Sequence, residues 1–154
     1  MSVDWVIREY RPEDFDAVTI LWWIAREKSL PEFQMMKGHF FYEDRDYFQN
    51  HVLKGNEKVW VADVDGRAVA FMAMNKDFVD QLYVHPDYWR RGIGNALLDL
   101  AREQSPKHVW LYTLQVNVNA RAFYEKNGFV AEKLGISPPP ESEPDVEYHW
   151  RNGA

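Results

Sequence analysis

The sequence predicts an α/β domain in which strands and helices alternate along the chain. Apolar residues recur at every second position in segments such as Val3–Tyr10, which is the period of a strand. In other segments they recur every three or four positions, which is the period of a helix that faces a core. Proline, glycine and asparagine separate these segments. With 154 residues and no internal repeat, the chain is expected to form a single domain, residues 1–154.

The composition excludes several classes of protein. Hydrophobic residues make up 46% of the chain and aromatic residues 16%, which excludes a disordered protein. Acidic residues number 24 against 18 Lys and Arg, and the resulting net charge of -6 argues against nucleic acid as a partner. Because the chain contains no cysteine, a disulfide scaffold, a thiolate nucleophile and a Cys-ligated metal are all excluded.

The sequence also bears on location and metal binding. The first ten residues, MSVDWVIREY, lack the basic start and apolar run of a signal peptide, and no segment is long enough to span a bilayer. We therefore expect a cytoplasmic protein that has no membrane partner. Four histidines are too scattered along the chain to suggest a metal site, and we expect none: His39, His51, His108 and His149.

A strand and two helices are predicted before residue 57. The strand is Val3–Tyr10, and Arg11–Asp14 has the proline and acids of a helix start. The second helix is predicted over Tyr42–Leu53 and ends at Lys54–Asn56. On the strand, one face carries Val3, Trp5 and Ile7. The first helix has an apolar stripe of Phe15, Val18, Leu21, Trp22 and Ala25.

The segment between these helices, Ser29–Phe41, is predicted to be a loop because Pro31 and Gly38 interrupt the helical pattern. It nevertheless contains three Phe and two Met. Loops do not normally expose so much apolar surface, so this segment either packs as a lid or lines a pocket.

The remaining elements follow in regular order. Asp65-Gly66 is a strong signal for a hairpin between strands Glu57–Val64 and Arg67–Asn75. A further strand at Leu82–Val84 is closed by Pro86-Asp87. The last predicted elements are a strand over His108–Leu114, a helix over Asn119–Lys126 that ends at Asn127-Gly128, a strand over Phe129–Ile136, a proline-rich connection over Pro138–Pro144 and a strand over Val146–Trp150.

A helix that begins near Arg91 is the first chemically informative feature. Its apolar face is formed by Ile93, Ala96, Leu97, Leu100 and Ala101. The first amides of a helix have no intrahelical partner and carry partial positive charge, so they attract an anion. Gly92 and Gly94 allow a ligand to approach the backbone, and Arg90 adds charge beside Arg91. These features describe a phosphate or pyrophosphate site, although two glycines can also form a plain turn.

Two common nucleotide motifs do not match this loop. A Walker A loop requires Lys and then Ser or Thr after its glycine, but Gly94 precedes Asn95-Ala96. A dinucleotide fingerprint requires a third glycine where this chain has Leu97, and an acid about 20 residues later, but Val109–Val118 contains none. A phosphate-loop nucleotide enzyme is therefore disfavoured, because its lysine and hydroxyl are missing.

Three segments in this order resemble the GNAT superfamily of acyl-CoA-dependent N-acetyltransferases. They are LYVHP at 82–86, RRGIGNALL at 90–98 and NARAFYEKNGF at 119–129. The resemblance covers Val59–Val130. It implies a mixed, mostly antiparallel sheet of six to seven strands with helices on both faces. It also implies that the strand of Leu82 splays from the strand Val109–Leu114, so that its backbone pairs with the pantetheine arm of acetyl-CoA.

The resemblance assigns a donor site to named residues. In the family the loop pattern begins with Gln or Arg, whereas Trp89 stands at that position here. The loop amides hold the pyrophosphate of coenzyme A, and Asn119 matches the position that holds the pantetheine arm. The residues expected to bind the cofactor are Leu82, Tyr83, Val84, Trp89, Arg90, Arg91, Gly92, Ile93, Gly94, Asn95, Asn119 and Phe123.

Tyr124 matches the usual general acid of the family. A phenol with an ordinary pKa of about 10 stays protonated at neutral pH and can donate to a departing thiolate, whose conjugate acid has a pKa of about 8.5. Alternatively, Tyr124 is an ordinary core residue of its helix. The position of the family's catalytic Glu falls on Phe78, which cannot accept a proton. The nearest substitutes are Asp77, Asp80 and His85.

Asp80 is the preferred substitute because it is expected to share a strand face with Leu82 and Val84. A carboxylate with an ordinary pKa of about 3.9 is a weak base, so a water relay or attraction of the amine is an equal alternative. The acceptor is expected to bind at the first helix, the 29–41 loop and the 138–144 connection. Its aromatic contacts are expected to be Trp22, Phe33 and Phe41, unless these residues only fill the core.

The predicted function is transfer of an acetyl group from acetyl-CoA to an amine by direct attack. The acceptor is a small molecule or a peptide, and the sequence does not distinguish them. A non-catalytic acyl-CoA sensor or partner-binding module is the alternative, since it needs the loop but no proton donor. The oligomeric state is left open, with a homodimer among the alternatives.

Overall fold

The computed structural model describes residues 4–30, 41–139 and 141–153, and its centre is a seven-stranded sheet. The strand order is β1-β2-β3-β4-β5-β7-β6, and all neighbours are antiparallel except β4 and β5. The mixed, mostly antiparallel sheet is thereby confirmed. The strands are β1 Val6–Glu9, β2 Lys58–Val64, β3 Arg67–Asn75, β4 Phe78–Val84, β5 His108–Leu114, β6 Val130–Ile136 and β7 Pro144–Arg151.

Helices cover both faces of the sheet. They are α1 Phe15–Ser29, α2 Phe41–Tyr47, α3 Ile93–Gln104 and α4 Val118–Lys126. A π-helical segment, Phe48–Leu53, continues α2, and short 3-10 turns occupy Pro12–Asp14 and Pro86–Tyr88. No helix in the described ranges is long and apolar enough to cross a bilayer.

Two cores form because the strand period of two sends alternate side chains of β3 to opposite faces. Met72 packs with α3 and α4, where Ile93, Leu97 and Tyr124 are buried. Phe71 packs on the other face with α1 and the π-helical segment. The buried residues of that second core include Val18, Leu21, Trp22, Phe48 and Val52. The helix stripes predicted from spacing therefore face the sheet, although Phe15 is only partly buried.

Local turn chemistry agrees with the predicted boundaries. Asp65 and Gly66 have φ angles of 52° and 87°, which is the left-handed pair that a tight hairpin requires. Gly128 ends α4 with a φ of 86°. The first strand is predicted over Val3–Tyr10, whereas β1 in the structure runs from Val6 to Glu9, so the predicted start is too early. Most of the predicted loop, including Phe33, lies outside the described residues.

The β4–β5 pair is the feature that creates the site. These parallel strands are paired only at Phe78 and Trp110 and then diverge toward their carboxyl ends. The splay implied by the family resemblance is confirmed. β4 leads into the glycine loop and α3, whereas β5 leads into α4, so the gap opens between the elements that carry the predicted site residues.

Candidate active site

The backbone of β4 lines one side of the gap. A hydrogen bond of 2.8 Å from the His85 amide to the Val69 carbonyl shows which residues of β4 pair with β3. In an antiparallel ladder, such pairs alternate with residues whose N–H and C=O point away. Tyr83 therefore directs its backbone toward Phe71 on β3, and Leu82 and Val84 direct theirs toward the gap.

Trp89 fixes the far end of this strand. Its indole Nε1 donates to the Val84 carbonyl at 2.7 Å. The amide of Trp89 also donates to Pro86 at 3.2 Å, which holds the turn that follows β4. The side chain that replaces the family's Gln or Arg is thus engaged with the strand itself. Three backbone groups of this segment remain directed at the gap, namely the N–H and C=O of Leu82 and the N–H of Val84.

The glycine loop presents a positive helix start. Arg90 and Gly92 both have left-handed φ angles, 62° and 88°, and Gly92 is the N-cap residue of α3. Arg90 and Arg91 are exposed, and the Arg91 guanidinium lies 5.5 Å from the centre of the Tyr88 ring. Unpaired amides at a helix start and two exposed cations form a surface suited to a phosphate group.

The missing Cβ of Gly94 makes room for a side chain of α4. A Cβ built at Gly94 would lie 3.0 Å from Cζ of Phe123, which is closer than ordinary van der Waals contact. The glycine therefore allows the Phe123 ring on α4 to pack against the first turn of α3. That side of Gly94 is filled by Phe123, which joins α3 to α4.

The side chain of Tyr124 extends from α4 into the core, and only 8% of its surface is exposed. Its ring centre is 5.2 Å from that of Phe123, 5.8 Å from Phe129 and 6.1 Å from Tyr148. Burial, with a smaller contribution from nearby Tyr83, holds the pKa of the Tyr124 phenol well above its usual value of about 10. The phenol is therefore a proton donor throughout the neutral range.

Asn119 lies on the exposed first turn of α4. The helix is capped by Asn117 instead, whose Oδ1 accepts from the Ala120 amide at 3.1 Å. Capping does not use the Asn119 carboxamide, and that side chain is exposed at the start of α4.

A β-bulge moves Asp80 to the opposite face from the one predicted. The register shifts between Met74↔Val79 and Ala73↔Gln81, which leaves Asp80 as the additional residue of β4. Its Oδ2 accepts from Asn56 Nδ2 at 2.9 Å, and the same Nδ2 donates to the Val52 carbonyl at 2.9 Å. Because Val52 belongs to the α1 side of the sheet, the expectation that Asp80 shares a face with Leu82 and Val84 is wrong.

Aromatic and charged groups gather on this α1 side. Trp22 is buried, stacks on Tyr47 at 6.1 Å and lies 3.9 Å from the Arg26 guanidinium. Burial raises the pKa of Tyr83 on β4, whereas the positive charge of Arg26 opposes the shift and Asp80 adds to it. Trp22, Arg26, Asp80 and Tyr83 therefore lie near one another on the α1 side of the sheet.

Phe41 occupies a different place from Trp22. At the start of α2 it makes an edge contact with Trp23 at 5.7 Å and lies 5.8 Å from the Arg45 guanidinium. Three residues are predicted to contact the acceptor. Trp22 lies beside Tyr83, whereas Phe41 packs on the outer side of α1. Phe33 lies outside the described residues.

Sequence comparison identifies the family. The sequence model described as "Acetyltransferase (GNAT) domain" matches residues 55–131, which is half of the 154-residue chain. The chain belongs to the GNAT acetyltransferase family. The match spans β2 to the start of β6 and contains the gap, the glycine loop and Tyr124.

Relatives and solved structures agree with this membership. The chain is 27% identical over 128 residues to the N-acetyltransferase YafP of Escherichia coli K12, covering 82% of each chain. It is 29% identical over 125 residues to the peptidyl-lysine N-acetyltransferase YiaC of the same organism, covering 80% of this chain and 82% of YiaC. The apo form of Escherichia coli YjaB has the same fold, with a TM-score of 0.80 at 21% identity over 95% of this chain and 97% of YjaB.

Two of the substitutes for the missing GNAT glutamate are already engaged. Both carboxylate oxygens of Asp77 have partners, since Trp110 Nε1 lies 3.1 Å from one and His108 Nδ1 lies 3.0 Å from the other. His85 Nδ1 accepts from the Asp87 amide at 3.1 Å. Asp80 is half-buried and accepts from Asn56 through Oδ2, and within the described residues its Oδ1 has no hydrogen-bond partner.

Sequence reasoning missed several residues that contact Asp80 and Trp22. Asn56 and Tyr47 reach Asp80 and Trp22 from other elements, and no local pattern reveals such contacts. Arg26 was detectable, because it follows Trp22 by four residues on α1 and such pairs meet on a helix surface. Among the described residues no group of three or more His, Asp or Glu is arranged to hold a metal ion.

Proposed function

We propose that this GNAT protein transfers an acetyl group from acetyl-CoA to an amine by direct attack, with Tyr124 as general acid. One observation carries the proposal. The backbone of Leu82 and Val84 points into a gap whose other strand, β5, leads into α4, the helix of Tyr124. A strand with unpaired amides inside a protein recruits an extended ligand that has amides of its own, and pantetheine is such a ligand.

The donor is proposed to bind along the gap. Its pyrophosphate lies on the amides that follow Gly92, with Arg90 and Arg91 as counter-charges. Its pantetheine amides pair with Leu82 and the Val84 N–H, while Asn119 approaches from α4. Ile93 and Asn95 complete the loop, and Phe123 fixes the distance between α3 and α4 through its contact with Gly94.

The chemistry consists of one addition and one elimination. The amine nitrogen forms a bond to the thioester carbon, and the carbon–sulfur bond breaks as the tetrahedral intermediate collapses. Asp80 attracts the amine and takes its proton, directly or through a water molecule. Tyr124 donates to the departing sulfur. Since the pKa of the phenol lies above that of a thiol, Tyr124 acts chiefly through a hydrogen bond to the thiolate.

The acceptor is proposed to reach the thioester from the α1 side. Trp22, Tyr47 and Tyr83 supply aromatic faces there, and Asp80 supplies negative charge, a combination that suits a cationic amine. The similarity to YiaC, a peptidyl-lysine N-acetyltransferase, supports including lysine side chains of peptides among the acceptors to be tested. In this proposal both sites belong to one domain, residues 1–154.

An amine panel tests the proposal directly. Acetyl-CoA is incubated with the protein and with polyamines, amino acids, aminoglycosides and lysine peptides, and release of free thiol is followed. We expect at least one amine to increase thiol release above the rate of acetyl-CoA alone. Coenzyme A should also raise the melting temperature, because a ligand that binds only the folded state stabilises it. Thermal stabilisation without turnover for any amine would instead support an acyl-CoA sensor.

A further inference from the structure

Asp77, in the turn between β3 and β4, is the centre of a hydrogen-bonded clamp. Its carbonyl accepts from the Trp110 amide at 3.0 Å, and one carboxylate oxygen accepts from the indole Nε1 of the same residue at 3.1 Å. The other carboxylate oxygen lies 3.0 Å from His108 Nδ1. Asp77 thus holds the first residues of β5 through three contacts, two of which depend on its side chain.

The clamp continues across the sheet to β7. His108 Nε2 lies 2.7 Å from His149 Nδ1, and the two ring planes lie within 6° of each other. His149 Nε2 in turn lies 2.7 Å from Glu147 Oε2. The side chains therefore form one line from Asp77 through two imidazoles to Glu147.

Hydrogen-bond chemistry assigns the protons along this line. Arg151, which can only donate, lies 3.3 Å from His149 Nδ1, so that nitrogen accepts. His149 then carries its proton on Nε2, toward Glu147. His108 Nε2 then donates to His149, and His108 Nδ1 faces the Asp77 carboxylate. The charged groups that face the pair from neighbouring elements are Asp77, Glu147 and Arg151.

The clamp sits where the two strands of the gap meet. Phe78 and Trp110 are the single residue pair that joins β4 to β5, and Asp77 immediately precedes Phe78. From Trp110 to Leu114 the strand extends about 13 Å at 3.3 Å per residue, so a rotation of about 5° at the vertex moves the far end by about 1 Å. Asn119 and Tyr124 follow on α4, beyond that end.

We propose that Asp77, through Trp110 and the His108–His149 pair, is a positioning residue that sets the opening of the β4–β5 gap and hence the placement of Tyr124 against acetyl-CoA. This inference rests on the proposed function. Displacements of about 1 Å in a catalytic site can lower a rate by about a hundredfold. The clamp is therefore placed where a small structural change has a large effect on turnover.

Three variants test the clamp. Asp77→Ala removes both side-chain contacts. Asp77→Asn keeps an oxygen for Trp110 and places an N–H against His108 Nδ1, a ring nitrogen that accepts in one of the two tautomers, so the geometry is retained. Asp63→Ala is the matched control, because its carboxylate also has two partners, Arg8 Nε at 2.8 Å and the Gly66 amide at 2.6 Å, at a hairpin away from the gap.

The measurements are Tm, coenzyme A affinity, and kcat and KM for acetyl-CoA. We expect Asp77→Ala to lower kcat/KM at least about tenfold and to weaken coenzyme A binding. Asp77→Asn should stay within about twofold of wild type, because it preserves the hydrogen-bonded geometry. Asp63→Ala should lower Tm and leave the kinetic constants unchanged. If Asp77→Ala lowers Tm alone, as the control does, the inference is overturned.

Failure of the proposed function is recognised separately. It would appear as wild-type protein that neither binds coenzyme A nor releases thiol. The positioning role of Asp77 is then tested by the amide NMR spectrum of the ligand-free protein. Asp77→Ala should shift the signals of Leu82, Val84 and Asn119, whereas Asp77→Asn and Asp63→Ala should not. Unshifted signals for Asp77→Ala would refute a positioning role.

Discussion

Burial has two opposite consequences for the Tyr124 phenol as a proton donor. Its burial guarantees that it is protonated at neutral pH, which a donor requires. The same burial makes the phenolate costly, so complete proton transfer to sulfur is unfavourable. The residue therefore contributes to the transition state mainly as a fixed hydrogen-bond donor, and its effect should appear in kcat rather than in binding of the donor.

Tyr124→Phe tests this role. The substitution keeps the ring contacts with Phe123 and Phe129 and removes only the hydroxyl, so the fold should be retained. We expect kcat to fall about 10²-fold, in the range for loss of a positioned proton donor, with coenzyme A affinity within about twofold of wild type. Steady-state kinetics and calorimetry with coenzyme A measure both quantities.

Tyr148→Phe is the matched control for that experiment. Tyr148 is a buried neighbour of Tyr124, but its hydroxyl donates to Glu125 at 2.5 Å and accepts from Arg121 at 3.1 Å. Its loss should lower Tm and leave kcat unchanged. Equal kcat values for Tyr124→Phe and Tyr148→Phe would remove Tyr124 from the mechanism.

Asp80→Asn tests the acid on the α1 side. An asparagine can still accept from Asn56 but has no charge and cannot take a proton. We expect kcat/KM for the amine to fall about 10²-fold near neutral pH. The deficit should shrink as pH rises toward the pKa of the amine, because more of the acceptor is then already deprotonated. Asp46→Asn, an exposed change on α2, is the control, and a pH-independent deficit would contradict the role of Asp80.

At the scale of elements, α3 and α4 are joined by a contact that is possible because Gly94 has no side chain. Phe123 packs where a Cβ at residue 94 would stand, so the two helices that flank the gap are held at a close distance. The glycine was assigned from sequence to the ligand, since a missing Cβ permits approach from either a ligand or another element. Only the three-dimensional position of α4 distinguishes the two.

Gly94→Ala tests the contact between these helices. Alanine favours a helix by up to about 1 kcal/mol over glycine, but overpacking commonly costs about 1–3 kcal/mol. We expect a lower Tm and weaker coenzyme A binding, as Phe123 is pushed away from α3. Phe123→Leu in the same chain should recover Tm, and a double-mutant cycle measures the coupling. Additive effects of the two substitutions would show that the contact is unimportant.

The pattern of strands and helices was accessible from sequence because it depends on local periodicity and turn chemistry. The hairpin at Asp65-Gly66 and the end of α4 at Gly128 are examples, since their left-handed residues are encoded by type. The position of Asp80 was not accessible. A single additional residue in β4 reverses the face of every residue before it, and alternation alone gave the wrong side.

Contacts between distant elements were inaccessible for a related reason. His108 and His149 are 41 residues apart in sequence, but the register of β5 and β7 places them within hydrogen-bonding distance. The sequence offers Asp77 as a substitute base because it adjoins Phe78, whereas the structure engages it with Trp110 and His108. Sequence reasoning thus identified the type of site, and strand register decided which acids belong to it.

For the whole molecule, the burial of tyrosine side chains makes the free energy of unfolding fall as the pH becomes alkaline. Burial, together with the nearby acids Asp14, Asp16 and Glu13, raises the pKa of Tyr10 to about 12. Burial also raises the pKa of Tyr124, Tyr83 and Tyr148 above the usual value. Above about pH 10 the unfolded chain loses phenol protons that the folded chain retains, so the folded state binds more protons and stability falls as pH rises.

The free energy of unfolding should therefore be constant with respect to these groups below about pH 10 and should decrease between about pH 10 and 12. Urea unfolding at fixed ionic strength across pH 8–12 measures this decrease. Tyr10→Phe should reduce its slope, because the ring contact with Phe48 is kept while the titrating hydroxyl is lost. Phe15→Leu, at a ring that also packs on Phe48 but carries no titrating group, should lower stability and leave the slope unchanged. If Tyr10→Phe keeps the wild-type slope, the native proton on Tyr10 does not contribute to alkaline unfolding.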